Sequence, residues 1–185
     1  FTDISGTIYM LDRRGGRRVE LTQKVNTNLQ RLIQFEKGFN FTTSKLIYKD
    51  SNTLCKIEFN DTKTYFNLDS THTEYDLSIV DLDGNNLFDY VVSYLNRVEI
   101  YGPDKKLSFF ETFDFNIKNQ LKVVGDNLKF LLIENQDEIY LYSSKFIPIP
   151  NFPVLGSVHT AIGDINKDGR TNVVTICYSN ELKVY

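Results

Sequence analysis

The sequence predicts an all-β fold made of repeated antiparallel units, and three observations predict it. The first is composition: 14 Phe and 11 Tyr stand against one Met and no Trp in 185 residues. Ala is almost absent and Asn abundant, so helix formers are scarce while strand and turn formers are plentiful. The second is alternation: runs such as Arg97-Val-Glu-Ile-Tyr101 place apolar side chains at every second position, the period of a strand with one face on a core. The third is a repeat. The first apolar residue after each hairpin turn is Ile8, Leu54, Val98, Ile139 and Leu182, in steps of 46, 44, 41 and 43 residues. A strand-rich period of about 40–45 residues belongs to β-propeller blades, whereas a sandwich shows turn signals every 8–12 residues or so and no long period. The expectation is an arc or incomplete ring of about 4–5 four-stranded blades.

The elements follow in chain order. Thr2–Leu11 reads as a strand, and Asp12–Arg18 as a polar turn leading to a strand at Val19–Thr22. Leu21, Val25, Leu29, Leu32 and Ile33 also recur at helical spacing, so Leu21–Phe35 is readable as a helical insertion. Leu46–Phe59 is a hairpin, Leu77–Val80 an inner strand, and Tyr90–Tyr101 the clearest central hairpin. Gly102–Lys106 turns the chain into an outer strand at Leu107–Phe115. Phe130–Tyr142 is the next central hairpin, and the Pro-rich run Phe146–Pro153 reads as an inter-blade crossover. His159–Ile162 is an inner strand before the last hairpin, Asn172–Tyr185. Asn, Asp, Ser and Gly hold the turns because they tolerate positive φ. The blade parts fall at about 1–25, 26–70, 71–116, 117–152 and 153–185 of a single propeller segment. With one Met, at position 10, and no signal or transit pattern, a piece of a longer chain is expected.

Charge and thiols narrow the function. Lys and Arg number 21 against 24 Asp and Glu, a net charge of −3, which speaks against nucleic acid as a partner. No apolar run approaches a membrane span; the longest are short, like Phe130-Leu-Leu-Ile133. Cys55 and Cys177 stand far apart with no CxxC, so unpaired thiols are expected. Arg13, Arg14, Arg17 and Arg18 flank Gly15-Gly16 as a solvated hairpin tip. His72 and His159 are isolated, and no nucleophile elbow, phosphate loop or Ser/His/Asp arrangement occurs. Asn40-Phe-Thr42 and Asn60-Asp-Thr62 are glycosylation sequons of the kind an Asn- and Thr-rich chain contains by chance.

Two loops between an inner strand and a central hairpin carry chemistry. They are Asp81-Leu-Asp-Gly-Asn-Asn-Leu-Phe-Asp89 and Asp164-Ile-Asn-Lys-Asp-Gly-Arg-Thr-Asn172. Oxygen side chains fall at positions 1, 3, 5 and 9: Asp81, Asp83, Asn85 and Asp89, then Asp164, Asn166, Asp168 and Asn172. The position-7 carbonyl, of Leu87 or Arg170, completes a shell of oxygen ligands, and Gly or Asn near position 6 takes the positive-φ turn. Oxygen-only ligands favour Ca²⁺ over zinc or copper. The loops lie 83 residues apart, or two blades, at equivalent positions of the repeat. An EF-hand or dockerin needs an acidic position 12 with a helix, and here Val92 or Thr175 stands there in a strand-like run.

The loop pattern followed by two apolar residues resembles the FG-GAP propeller repeat, also called VCBS and found in integrin α chains. The resemblance implies Ca²⁺ held on one propeller face by the ten residues just named, and a protein–protein interaction or adhesion module without catalysis in this segment. It implies a protein partner reached through propeller loops and an extracellular or secretory-lumen setting. Asn86 replaces the family's usual Gly, and Asn172 its position-9 Asp, so the second site is expected to bind more weakly. The shorter Val124–Phe130 loop and Phe39–Lys45 are expected to hold no cation. Related propellers also occur in phospholipase-like enzymes and polysaccharide lyases, which leaves a secreted enzyme or an intracellular scaffold subunit as alternatives.

Overall fold

A computed structural model describes residues 6–11, 14–24, 34–36, 45–50, 53–58, 62–68, 76–118, 121–124, 129–170, 172–177 and 181–185. Among these the secondary structure is entirely β, in antiparallel sheets. The chain divides into two compact units, Phe1–Glu74 and Tyr75–Tyr185.

In the first unit, β1 (Thr7–Leu11) pairs with β2 (Arg17–Lys24), and register shifts mark bulges between Thr7 and Tyr9 and between Met10 and Leu11. A four-stranded sheet follows in sequential order: β3 (Gln34–Glu36), β4 (Lys45–Asp50), β5 (Thr53–Glu58) and β6 (Lys63–Phe66). Ile8 and Leu21 pack with Tyr48, Cys55 and Ile57 into one apolar cluster. The helical reading of Leu21–Phe35 fails wherever the structure describes it, because Leu21–Lys24 belongs to β2 and Gln34–Phe35 to β3. Strand pairing overrides a weak helical spacing; residues 25–33 lie outside the described residues.

The second unit holds three sheets. The first is β7 (Asp76–Val80), β8 (Asp89–Tyr94), β9 (Arg97–Tyr101) and β10 (Leu107–Thr112), each hydrogen-bonded to the next. The second is β11 (Lys122–Val124), β12 (Phe130–Glu134), β13 (Glu138–Ser143) and β14 (Val154–Leu155). The third is β15 (Ser157–Gly163), β16 (Asn172–Ile176) and β17 (Leu182–Val184). Each central hairpin sits in the register its alternation requires, Tyr90 facing Tyr101 and Val92 facing Glu99. The β8–β9 turn takes its positive φ at Leu95 rather than at Asn96, and the Asn96 amide instead donates to the Phe113 carbonyl at 2.9 Å.

Apolar faces join these sheets. Leu82, Val91, Val98 and Ile100 pack against Leu121, Leu131 and Ile133 of the second sheet. The opposite face of that sheet, Leu132, Ile139 and Leu141, packs against Val173 and Ile162 of the third. Inner strands are also clasped. The Ser78 hydroxyl donates to the Leu121 carbonyl at 3.1 Å. The Lys122 ammonium donates to the buried Glu134 carboxylate at 3.2 Å and to the Thr160 carbonyl at 3.3 Å. On the outer side, six rings run in series from Phe109 through Phe146, Tyr142, Phe113 and Phe115 to Tyr140, with centroids 4.3–6.2 Å apart. The Phe146–Pro153 run is not a free crossover. It lies beside β13, with Ile149 N–H on the Leu141 carbonyl and Pro148 bridged to Tyr142, and so forms the outer edge of its own sheet.

Candidate cation-binding loops

Each acidic loop leaves an inner strand and enters the strand beside it, β7 to β8 and β15 to β16. The antiparallel pairing of those strands, Val80 with Asp89 and Gly163 with Asn172, holds positions 1 and 9 of each loop close together. A nine-residue loop between adjacent strand ends has little choice but to curl over itself, and its own side chains then serve its backbone.

The two loops do so with a shared set of bonds, to which the first adds the Gly84 N–H on the Asp81 carboxylate at 2.8 Å. The position-1 carboxylate accepts the position-5 and position-6 N–H groups: Asp81 from Asn85 (3.1 Å) and Asn86 (2.9 Å), Asp164 from Asp168 (3.1 Å) and Gly169 (2.9 Å). The position-3 oxygen accepts the position-5 N–H, Asp83 from Asn85 and Asn166 from Asp168. The position-5 oxygen accepts the position-7 N–H, Asn85 from Leu87 at 2.7 Å and Asp168 from Arg170 at 2.8 Å. The position-9 oxygen accepts the position-2 N–H, Asp89 from Leu82 at 3.1 Å and Asn172 from Ile165 at 3.2 Å. An amide links positions 3 and 5 in both, in opposite senses: Asn85 donates to Asp83, and Asn166 to Asp168, each at 2.9 Å.

Two backbone positions in each loop take positive φ, not one. Gly84 (79°) and Asn86 (65°) do so in the first loop, Lys167 (59°) and Gly169 (83°) in the second. Position 6 was readable from Asn86 and Gly169. Position 4 was signalled only by Gly84, because Lys167 is an uncommon residue for that conformation.

Electrostatics separates the loops. One carboxylate oxygen from each of Asp81, Asp83 and Asp89 lies within 4.8 Å of the others. Asp89 is buried, and its carboxyl is pushed above the usual carboxylate range, first by burial and then by the Asp83 and Asp81 charges, while the Leu82 N–H opposes the shift. Three converging anions with one of them buried are an unfavourable arrangement without a counter-charge. Their carboxylate oxygens keep lone pairs beyond the N–H groups they accept, and such hard oxygens suit a hard divalent cation. In the second loop Asn172 stands where Asp89 does, and Asp164 and Asp168 are exposed beside Lys167 and Arg170.

Other sequence candidates place as follows. Cys55 is buried and Cys177 half-buried, and neither forms a disulfide. The loops at 125–128 and 39–44, the sequon residues Asn40 and Asn60, and Arg13 and His72 lie outside the described residues.

No protein-family model matches the chain, and no curated protein matches it. Solved structures do. The chain superposes over 98% of its length, with a TM-score of 0.64 and 17% identity, on BBS1N in two crystal structures of BBS1N in complex with ARL6DN, one soaked with mercury and one with lead. It spans 58% and 53% of those chains. A streptogramin B lyase structure matches over 85% of this chain and 55% of its own, with a TM-score of 0.42 and 10% identity. The class of fold is therefore an all-β, propeller-like assembly of antiparallel sheets, like the N-terminal propeller of BBS1.

Proposed function

We propose that this chain is an arc of an FG-GAP-type β-propeller, that its two acidic loops bind Ca²⁺, and that the loop-bearing face receives a protein partner. One observation carries the reading: the two loops share a hydrogen-bond skeleton at equivalent blade positions, and in the first three carboxylates converge. Asp81, Asp83, Asn85 and Asp89 with the Leu87 carbonyl, and Asp164, Asn166, Asp168 and Asn172 with the Arg170 carbonyl, hold the ions. The second loop fills at higher Ca²⁺ because it has one carboxylate fewer. Bound Ca²⁺ supplies the missing positive charge and stiffens the loop. The chain's own contribution is to hold five oxygens in place and to present Leu87, Lys167 and Arg170, all exposed, around them. The likeness to BBS1N, crystallised in complex with ARL6DN, supports an interaction role. The Ca²⁺ requirement favours an extracellular or lumenal setting.

The test is thermal melting of the protein in Ca²⁺ and in chelator, together with calorimetric titration. Ca²⁺ should raise the melting temperature, and Asp81→Ala should remove most of the rise. Indifference of the wild type to chelation would sink the cation reading. For the partner, crosslinking from Lys167 in native material should return peptides of a second protein, with yield dependent on Ca²⁺; links confined to other faces would move the interaction elsewhere.

A further inference from the structure

The outward face of the last sheet repeats, position for position, the faces that are packed in the two sheets before it. Register defines the equivalence: Val91 faces Ile100, Leu132 faces Leu141, and Val174 faces Val184. The first residue after each hairpin turn completes the set, Val98, Ile139 and Leu182. Val98 and Ile139 are both 0% exposed, while Leu182 is 67% exposed. Ile100 and Leu141 are both 7% exposed, while Val184 is 55% exposed. The second residue of each acidic loop shows the same contrast, with Leu82 7% exposed and Ile165 54%.

In the earlier sheets the covering groups are known. Leu131 and Ile133 of the second sheet cover Val98 and Ile100, and Val173 and Ile162 of the third cover Ile139 and Leu141. Each time an aliphatic residue on the strand after the inner strand comes from the following blade. Folded domains rarely leave an aliphatic face of this kind uncovered.

We infer that Ile165, Val174, Leu182 and Val184 form a blade–blade interface, covered in the complete protein by a further blade of the same polypeptide that presents aliphatic side chains at the positions of Leu131 and Val173. The equal treatment of this face in the two preceding sheets identifies the occupant as a blade. Its source follows from the fold likeness: the BBS1N chains that share this fold are longer, and this chain spans 58% and 53% of them. The inference is independent of cation binding and stands or falls separately from it.

The test is maleimide labelling of the complete polypeptide in a Cys177→Ser background, with Leu182→Cys compared against Leu95→Cys. Leu95 is 72% exposed at the β8–β9 turn and serves as the open reference. Leu182→Cys should label roughly tenfold or more slowly in the folded protein, as a packed position does, and at the same rate as Leu95→Cys in guanidinium. Equal rates in the folded protein would overturn the inference. Slow labelling that appears only when a second protein is added would overturn the assignment to the same polypeptide. If Leu182→Cys does not fold, Val184→Cys reads the same face with the same outcomes.

Discussion

Asp89 faces two opposing demands, and its position in the chain accounts for both. As the first residue of β8 it is buried, and it must accept the Leu82 N–H to close the loop. Burial and the Asp81 and Asp83 charges raise its pKa in the folded state above that of the unfolded chain. The sign then follows from linkage: the protonated carboxyl is favoured by folding, so its contribution is fully present below the unfolded value of about 3.9 and is lost as pH rises through the folded value. In chelator, Asp89→Asn should therefore raise the melting temperature at pH 7, with the gain disappearing in acid; with Ca²⁺ present it should lower it. Melting curves across pH with and without chelator decide this, and a variant insensitive to both would refute it. Asn172 already makes the same contact to Ile165 in the second loop, which shows that the substitution is compatible with the geometry. The oxygen side chains that the sequence sets at alternate positions accept the loop's own N–H groups, because alternate side chains of a tight loop turn inward. The second positive-φ position escaped because Lys167 carries no signal for it.

At the scale of elements, the central hairpins were readable because each combines a turn residue with period-2 alternation, and Val98 and Ile139 fall where the repeat puts them. Two kinds of element were not. β3 is three residues long and lies inside a stretch with accidental helical spacing. β14 is two residues long and follows a run whose prolines hide its pairing with β13. Nor could alternation reveal the clasps between inner strands, which depend on three-dimensional neighbours. The Lys122–Glu134–Thr160 clasp predicts a measurable asymmetry. Lys122→Met removes this ammonium from a buried carboxylate and should cost about 2 kcal/mol in denaturant unfolding, less than a fully buried pair because the lysine is partly solvated. Glu134→Gln keeps a hydrogen-bond acceptor and should cost less. Equal costs would mean that the ion pair does not matter.

At the scale of the whole chain, sequence supplied the period and the all-β character, and the likeness to BBS1N supports a propeller-like assembly. Closure of a ring could not be read, since it depends on the sum of angles between blades rather than on any one residue. What binds the first two sheets of the second unit is the apolar layer with its ring series, in which Phe113 is buried, stacks on Phe115 and meets Tyr142 at a tilt. Phe113→Ala should cost about 3–5 kcal/mol, the range for an aromatic removed from a packed core. Guanidinium unfolding measures it, and a loss under about 1 kcal/mol would show that the two sheets are held together elsewhere.

The proline-lined edge beside β13 has a further consequence, for behaviour at high concentration. A blade's outermost strand offers unpaired amide and carbonyl groups on which a neighbouring molecule can grow a sheet. Pro148, Pro150 and Pro153 have no N–H to offer, and the ladder at β14 extends over two residue pairs only. That rim is closed to templated stacking, whereas the six-residue β10, with Phe109 and Phe110 exposed and no proline within it, remains open. Of these two rims, templated stacking under stress should therefore begin at Leu107–Thr112 and not beside β13.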